Sequence, residues 1–408
     1  MADKVKIGAV INLPPEETVR AFDARGELRT SVRWSEMWHE DHARAFTVAK
    51  VAKLDLLETI RTSLADVIHN GGTFEQWKAH IVPDLERAGW WGRVQDRELT
   101  GTDEAVTISP SRLRTIYSTN LRISRAAGQW ARIQELKDVA PYLRYSAVMD
   151  RRTRPLHRAW HGVILPADHP WWDTHFPPCG WNCRCTVIQL SDRDLKKNGW
   201  TVAKEPPPAG PPQTFFRAGS TKPEIVPAGI DPGFAYNPGK ASMRAIADKA
   251  AATLEREAGR DLGGARAALR DLVDSPAFLK AMEDPDTSFP VMLVDQELRE
   301  LLGASSLTAT LSGGTFRSHR LATPDIGPSQ FRQLPEIGAA PDLVFLQGDQ
   351  RILLRRTADG RWLKAVVKVT SDGAPMPVES LAWADEAEVR AMQATHQLVS
   401  GSPLGDAE

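Results

Sequence analysis

Three cysteines and two histidines carry the densest chemistry in the chain. They lie in Asp150-Arg151-Arg152-Thr153-Arg154-Pro155-Leu156-His157, in His161-Gly162, and in Pro177-Pro178-Cys179-Gly180-Trp181-Asn182-Cys183-Arg184-Cys185. Cys183 and Cys185 are two apart, so on an extended chain both thiols point to one side. Cys179 can fold back across Gly180, and His157 or His161 could complete a tetrahedral Cys3His set for structural zinc. Such an ion suits a Pro- and Gly-rich stretch with too little apolar content to hold itself. The alternative is three buried, reduced thiols. Nothing in the chain reads as HExxH, so catalytic zinc is not expected. All 3 cysteines fall in this one stretch, which does not fit a disulfide framework.

A strongly basic segment leads into these motifs. Arg112, Arg114, Arg122, Arg125, Arg132, Lys137, Arg144, Arg151, Arg152, Arg154 and Arg158 are opposed only by Glu135, Asp138 and Asp150. Ser109-Pro110 reads as the start of a long helix, with Leu113, Ile116, Tyr117, Asn120, Ile123 and Trp130 recurring along it. Pro141 should end that helix, and a strand should follow over 143–149. An Arg-rich helix face can bind phosphates or an acidic protein surface, or can simply be solvated.

The remaining elements must position this centre. The 408 residues exceed one ordinary core, and the 42% hydrophobic and 25% charged composition is that of a globular protein. The formal net charge of -1 excludes a uniformly basic coat for nucleic acid. No apolar run approaches the roughly 20 residues needed to cross a bilayer. The apolar piece 7–13, followed at once by Pro14, Pro15, Glu16 and Glu17, is too short for a secretory signal. No membrane partner is expected, and the chain should stay in the cytoplasm or in something assembled there.

The fold expected is α+β. Residues 1–105 read as a mainly helical N-terminal region. In it 42–65 is one or two helices, and Thr73 caps another carrying Phe74, Trp77 and Ile81. The Trp residues at 34, 38, 77, 90 and 91 are expected in the core or in turns. Residues 106–202 form the Cys/His-containing domain. Residues 203–240 are a Pro-rich linker, pinned by aromatic anchors in Gly233-Phe234-Ala235-Tyr236-Asn237-Pro238-Gly239. Residues 241–285 are helical. Residues 286–395 form a small α+β domain with an antiparallel sheet, whose strands lie at 291–294, 344–346, 351–355 and 362–370. The acidic end from 382 is expected to fray, leaving a tail at 396–408.

The segment 112–189 resembles the phage Mu F-like head morphogenesis domain, found in minor head proteins of tailed bacteriophages. The resemblance rests on Arg114, Ile116 and Asn120, then Asp150, Arg152 and His157, then His161-Gly162, and on the closing Pro-Pro-Cys-Gly-Trp-Asn-Cys-Arg-Cys motif. Pro14-Pro15-Glu16, Phe46-Thr47-Val48-Ala49 and the 233–239 run resemble its flanks, extending the likeness over roughly 10–245. It implies a few copies per virion near the portal vertex, and work in head assembly and in DNA packaging or ejection. The implied partners are the portal protein, other head proteins and packaged DNA; the implied location is the virion head or the host cytoplasm. Arg114, Asn120, Arg122, Arg125, Arg152 and Arg154 are then the candidate partner- or nucleic-acid-binding residues.

A weaker resemblance concerns 286–395, which looks like a phage variant of the barnase, EndoU, colicin and RelE group of metal-independent RNases. It rests on Ser318-His319, Leu334-Pro335, Pro341 and the strands around Arg355 and Lys368. Such an enzyme needs a proton-transferring base or acid, for which His319 is the candidate. It also needs cations for the phosphorane charge, for which Arg355, Lys364 and Lys368 are the candidates. RNA would be the substrate. Two rivals to a head protein follow: an active RNase or toxin carried by the virion, and a DNA-binding ejection protein.

Overall fold

The computed structural model describes residues 16–323 and 325–404. The apolar piece 7–13, Pro14-Pro15 and the last residues of the expected tail lie outside the described residues. The chain divides into two compact units, one ending at Ala245 and one beginning at Ile246.

In the first unit the helices are α1 (Glu16–Asp23), α2 (Leu54–Asn70), α3 (Phe74–Arg87) and α4 (Pro110–Leu136). Thr73 caps α3 in a reciprocal capping box with Gln76, as its sequence predicts. Residues 42–65 are not continuous helix. Asp41–Arg44 is a single turn, and Phe46, Val48 and Val51 lie in a connection where Lys50 takes φ 66°. These three side chains are nonetheless buried with Leu57 and Ile60, so the apolar spacing reported burial rather than helix. Trp77 and Trp90 are fully buried in the same core.

Helix α4 is the axis of the unit. Ser109 accepts from the Arg112 amide at its N-terminus and Pro110 occupies the first turn. Its buried residues Leu113, Tyr117, Ile123, Ala127 and Trp130 follow a helical period. A Cβ on Gly128 would stand 2.6 Å from the Thr18 hydroxyl, so glycine is what lets α1 pack closely there. The helix ends at Leu136, before Pro141. Gln189 donates to the carbonyls of Ile133 and Ala140 at 2.9 Å, satisfying acceptors that the helix end leaves open.

Beside α4 lies a three-stranded antiparallel sheet of β1 (Tyr142–Ser146), β2 (Ile164–Pro166) and β3 (Thr186–Leu190), in the order β2-β1-β3. Short helix α5 (Pro155–Trp160) connects β1 to β2. The Pro-rich stretch carries a hairpin, β4 (Gln213–Phe216) with β5 (Pro223–Val226). Its Val226, Ile230 and Phe234 are buried in one core with Trp38, Trp130, Trp160, Trp172 and Cys179. The segment is therefore part of the domain's core as well as a connection. Helix α6 (Pro238–Ala258) follows.

The second unit is α+β. Its strands are β6 (Ser288–Leu293), β7 (Thr308–Ser312), β8 (Leu343–Gln347), β9 (Gln350–Arg356), β10 (Trp362–Lys368), β11 (Met376–Ala384) and β12 (Gln397–Ser400). They form one sheet in the order β6-β7-β11-β10-β9-β8-β12, antiparallel except where β7 meets β11. Strands β8, β9 and β10 are the expected meander, turning at Gly348-Asp349. One face, with Leu353, Leu363, Ala365 and Val367, shares a core with Leu269, Phe316 and Ile337. The opposite face, with Ile352, Leu354 and Trp362, shares a core with Val389 and Met392. The acidic end is ordered where fraying was expected: Glu386–Thr395 is helix, and β12 pairs with β8. Among the described residues no helix is long and apolar enough to cross a membrane.

Candidate metal centre

The segment entering β3 carries Cys183 and Cys185, and α5 carries His157. The Nδ1 atom of His157 lies 3.5 Å from the Cys185 sulfur and 3.7 Å from the Cys183 sulfur. All three ligand atoms fall within 4.8 Å of one another. His157 Nε2 donates to the carbonyl of Gly229 at 2.8 Å. A carbonyl can only accept, so Nε2 carries the proton and Nδ1 faces the thiols with a free lone pair.

The two thiols are coupled. Hydrogen bonding from Cys185 pulls the Cys183 thiol well below its ordinary range against the cost of burial. The same hydrogen bond, with burial, pushes Cys185 up. One thiolate held by one thiol and an imidazole is the donor chemistry that zinc accepts, with the remaining proton displaced on binding. These three residues would leave a fourth coordination position open.

The other two expected ligands stand apart. Cys179 is fully buried, and its sulfur donates to the His175 carbonyl at 3.3 Å and lies 3.8 Å from the Tyr145 hydroxyl. His161 Nδ1 accepts from the Ala147 amide at 3.1 Å. The Cys3His set is therefore not assembled; a Cys2His set on His157 is.

Two ion pairs hold the loops that present this set. Asp150 accepts from both terminal nitrogens of Arg184, at 2.7 and 2.6 Å. Arg184 sits between the two cysteines, and its hydrogen bonds hold the Asp150 carboxyl well below the usual carboxylate range. Asp231, from the Pro-rich stretch, accepts from Arg154 at 2.6 Å and from the Trp181 amide at 2.8 Å. Its own amide donates to the Cys179 carbonyl. A Cβ on Gly180 would meet the Asp231 carboxylate at 2.4 Å, which explains glycine in the Cys-Gly-Trp motif.

The candidate binding residues divide in two. Arg114 pairs with Glu75 at 3.0 Å and lies over the Phe74 ring. Asn120 accepts from Arg25 at 2.9 Å, and Arg154 is engaged by Asp231. These three are engaged by partners within the unit. Arg122 and Arg125 line a cavity of about 220 Å³ with Cys183, Arg184 and Cys185. Burial and the neighbouring positive charges of Arg184 and Arg125 lower the affinity of Arg122 for its proton. Arg152, 80% exposed and 3.7 Å from Asp150, points outward. Gly229, Asp231 and Arg184 were absent from the expected site.

The C-terminal candidates do not converge. The register pairs Leu354 with Lys364 and Gln350 with Lys368, but Arg355 with Leu363. Facing partners share a sheet face, so Arg355 lies on the opposite face from Lys364 and Lys368. Arg355 donates to the carbonyls of Glu336 and Ala340, Lys364 pairs with Glu388, and Lys368 pairs with Asp349 at 3.0 Å. His319, on helix Gly313–Ala322, donates from Nε2 to the Glu379 carbonyl at 3.2 Å. No general acid–base pair with adjoining cations is assembled by these four residues.

The family described as Phage Mu protein F like protein matches residues 58–188, a span that includes α4, β1, β2, the start of β3 and all three ligands of the centre. Protein F of Escherichia phage Mu, named for capsid assembly, is 36% identical over 255 residues, covering 59% of this chain and 57% of that protein. The F protein of the Mu-like prophage FluMu of Haemophilus influenzae is 41% identical over 170 residues, 42% of this chain and 40% of that one. The chain thus spans less than two thirds of the length of either relative. No solved structure matches the chain. Residues 58–188, with the Cys/His centre near their C-terminal end, are the part of the chain similar to that family.

Proposed function

We propose that the chain is a capsid-assembly, or head-morphogenesis, protein of a Mu-type phage or prophage. In this reading it acts at the portal vertex with the portal protein and other head proteins, and it resides in the virion or in the host before assembly. The match over 58–188 and the relationship to protein F of phage Mu support the reading. Zinc on His157, Cys183 and Cys185 is the cofactor this arrangement favours, as a clamp joining α5, the approach to β3 and, through Gly229, the Pro-rich segment.

The carrying observation is that every part of this centre, apart from its Pro-rich supports, lies inside the family-matched segment. The test is deletion of the gene from a phage or inducible prophage that encodes it. Filled heads should disappear, complementation should restore them, and purified heads should contain the chain. Wild-type yields of filled heads without the gene would reject the reading. For the ion, protein purified under reducing conditions should hold about one zinc per chain, as a single site requires. That zinc should vanish in the Cys183→Ser, Cys185→Ser double variant.

One observation favours a DNA-contacting role as well: Arg122 and Arg125 share a cavity wall with Arg184, and Arg152 is exposed. Duplex affinity should then fall steeply with salt, by counterion release, and a flat response would remove this role. The RNase reading has no comparable support, because its three candidate cations are split between sheet faces, His319 lies on a helix, and all four are engaged in internal bonds.

A further inference from the structure

A second cavity in the first unit, of about 340 Å³, is built around two arginines that the head-assembly reading does not use. Arg25 follows α1 and is almost completely buried. Its terminal nitrogens donate to Asn120 at 2.9 Å and to Ser124 at 3.1 Å, both neutral side chains of α4. Its Nε is buried without a hydrogen-bond partner among the described residues. Burial lowers its pKa to about 10, so it is still a cation at neutral pH. Arg112, one turn into α4, repeats the pattern: a terminal nitrogen donates to the Ala49 carbonyl, and its Nε is also buried and unpartnered.

Both arginines line the cavity, and among the described residues no Asp or Glu does. Burying an uncompensated guanidinium is costly, and the ordinary remedy is a carboxylate partner in fork geometry. Here no such partner is present among the described residues, while space for one is provided. The other walls carry the rings of Trp34, Phe46 and Trp181 and the hydroxyl-bearing Thr47 and Thr119. Two cations, neutral donors and flat apolar surfaces on the walls of one cavity are the composition of a small-molecule site.

We propose that this cavity binds a small oxyanion, a carboxylate or a phosphate monoester, carried on a flat apolar body. The oxyanion engages Arg25 and Arg112, and the apolar body lies against the aromatic walls. The site is separate from the Cys/His centre and needs no metal.

The test uses the full chain and four probes: benzoate, phenyl phosphate, acetate and inorganic phosphate. Calorimetry should show saturable binding of one aromatic probe, and the better of benzoate and phenyl phosphate identifies the oxyanion. The ring-free probes should bind more weakly. Intermolecular NOEs should connect the bound ring to the indole protons of Trp34 and Trp181, a readout that needs no variant. Arg112→Gln should weaken binding about tenfold or more, the usual worth of a charge-assisted hydrogen bond. Arg112→Lys should weaken it less, and Ile116→Trp, which fills the cavity, should abolish it. Thermal melts of each variant establish that it is folded. Failure of all four probes to bind the wild type in the millimolar range would make this a water-filled cavity and overturn the proposal. So would binding that Arg112→Gln and Ile116→Trp leave unchanged, or NOEs to other indoles.

Discussion

Asp150 and Arg184, 34 residues apart, form a two-point ion pair at 2.6 and 2.7 Å, and Arg184 lies between Cys183 and Cys185 in sequence. The pair ties the loop after β1 to the approach to β3. It thereby fixes the backbone on which Cys183 and Cys185 sit. Asp150→Asn keeps the shape but gives up the charge and one acceptor. Zinc affinity, read by competition with a chelator, should fall by about tenfold, the usual cost of losing a support behind the ligands. Unchanged affinity would mean that the ligands are held without this pair.

His157 and His161 are four positions apart in the sequence but do different work. His157 has its Nδ1 beside both sulfurs, whereas His161 spends its Nδ1 on the Ala147 amide. His157→Ala should therefore lose stoichiometric zinc. His161→Ala should keep zinc and lose only stability, by about 1 kcal/mol for one hydrogen bond. Metal analysis beside thermal melts separates these outcomes, and loss of zinc in His161→Ala alone would invert the assignment.

Gly229 carries the carbonyl that orients His157, and it has φ +83°. A Cβ there would stand 2.8 Å from Trp160 and 2.9 Å from Leu156. Gly229→Ala combines a disfavoured backbone with a clash against two packed side chains. It should destabilise the unit by about 2 kcal/mol or more in denaturant unfolding. Zinc retention should fall with it, since the imidazole loses its acceptor. A variant as stable as the wild type would show that the segment can move away freely.

This glycine also marks the limit of what could be read from the chain. Ser109-Pro110 at the head of α4 and Thr73 with Gln76 at α3 act through local bonds, so their residue types announce them. The alternation of Cys183 and Cys185 likewise put both thiols on one side. The partners of the centre are not local. Gly229 meets His157 across 72 residues and Asp231 meets Arg154 across 77, and no spacing rule connects them. Cys179 reads as a ligand because a fold back across Gly180 would bring it near; its carbonyl bond to Asp231 and its fully buried sulfur give it a packing role instead. In the second unit the strands with strong β-branched runs were legible. The pairing of β7 with β11 was not, because a parallel ladder over two residue pairs leaves no periodic trace.

His175 supplies a pH dependence whose sign can be worked out. It is stacked on Trp171 at 4.5 Å, and burial drives its imidazole down to about 4 from an ordinary 6.5. Below pH 6.5 the unfolded chain takes up this proton before the folded one does. Stability from this group is therefore complete above pH 6.5 and falls as the pH drops towards 4. The slope is about 1.4 kcal/mol per pH unit for one proton. Denaturation midpoints measured across that window should fall more steeply for the wild type than for His175→Phe, which keeps a ring but cannot titrate. Parallel curves would assign the acid sensitivity elsewhere.

Strand β12 closes the edge of the seven-stranded sheet that β8 would otherwise expose. Phe345 pairs with Leu398 and Leu346 with Gln397, and Leu398 packs against the core containing Val389 and Met392. An unpaired edge strand presents open amides and carbonyls to any other chain, and β8 is apolar at Leu343, Val344, Phe345 and Leu346. Stopping the chain after His396 removes the ladder and the Leu398 contact together. The truncated protein should lose about 1–3 kcal/mol in unfolding, from the buried apolar surface alone. It should also aggregate at concentrations where the full chain does not, as light scattering would show. Leu398→Asp offers the finer version: it retains the backbone ladder but places a charge against the Val389 and Met392 core. It should therefore destabilise the unit with less aggregation than the truncation. If both variants behaved as the full chain does, the C-terminal end would be the loose tail that its acidic composition suggests, and β8 would need some other cover.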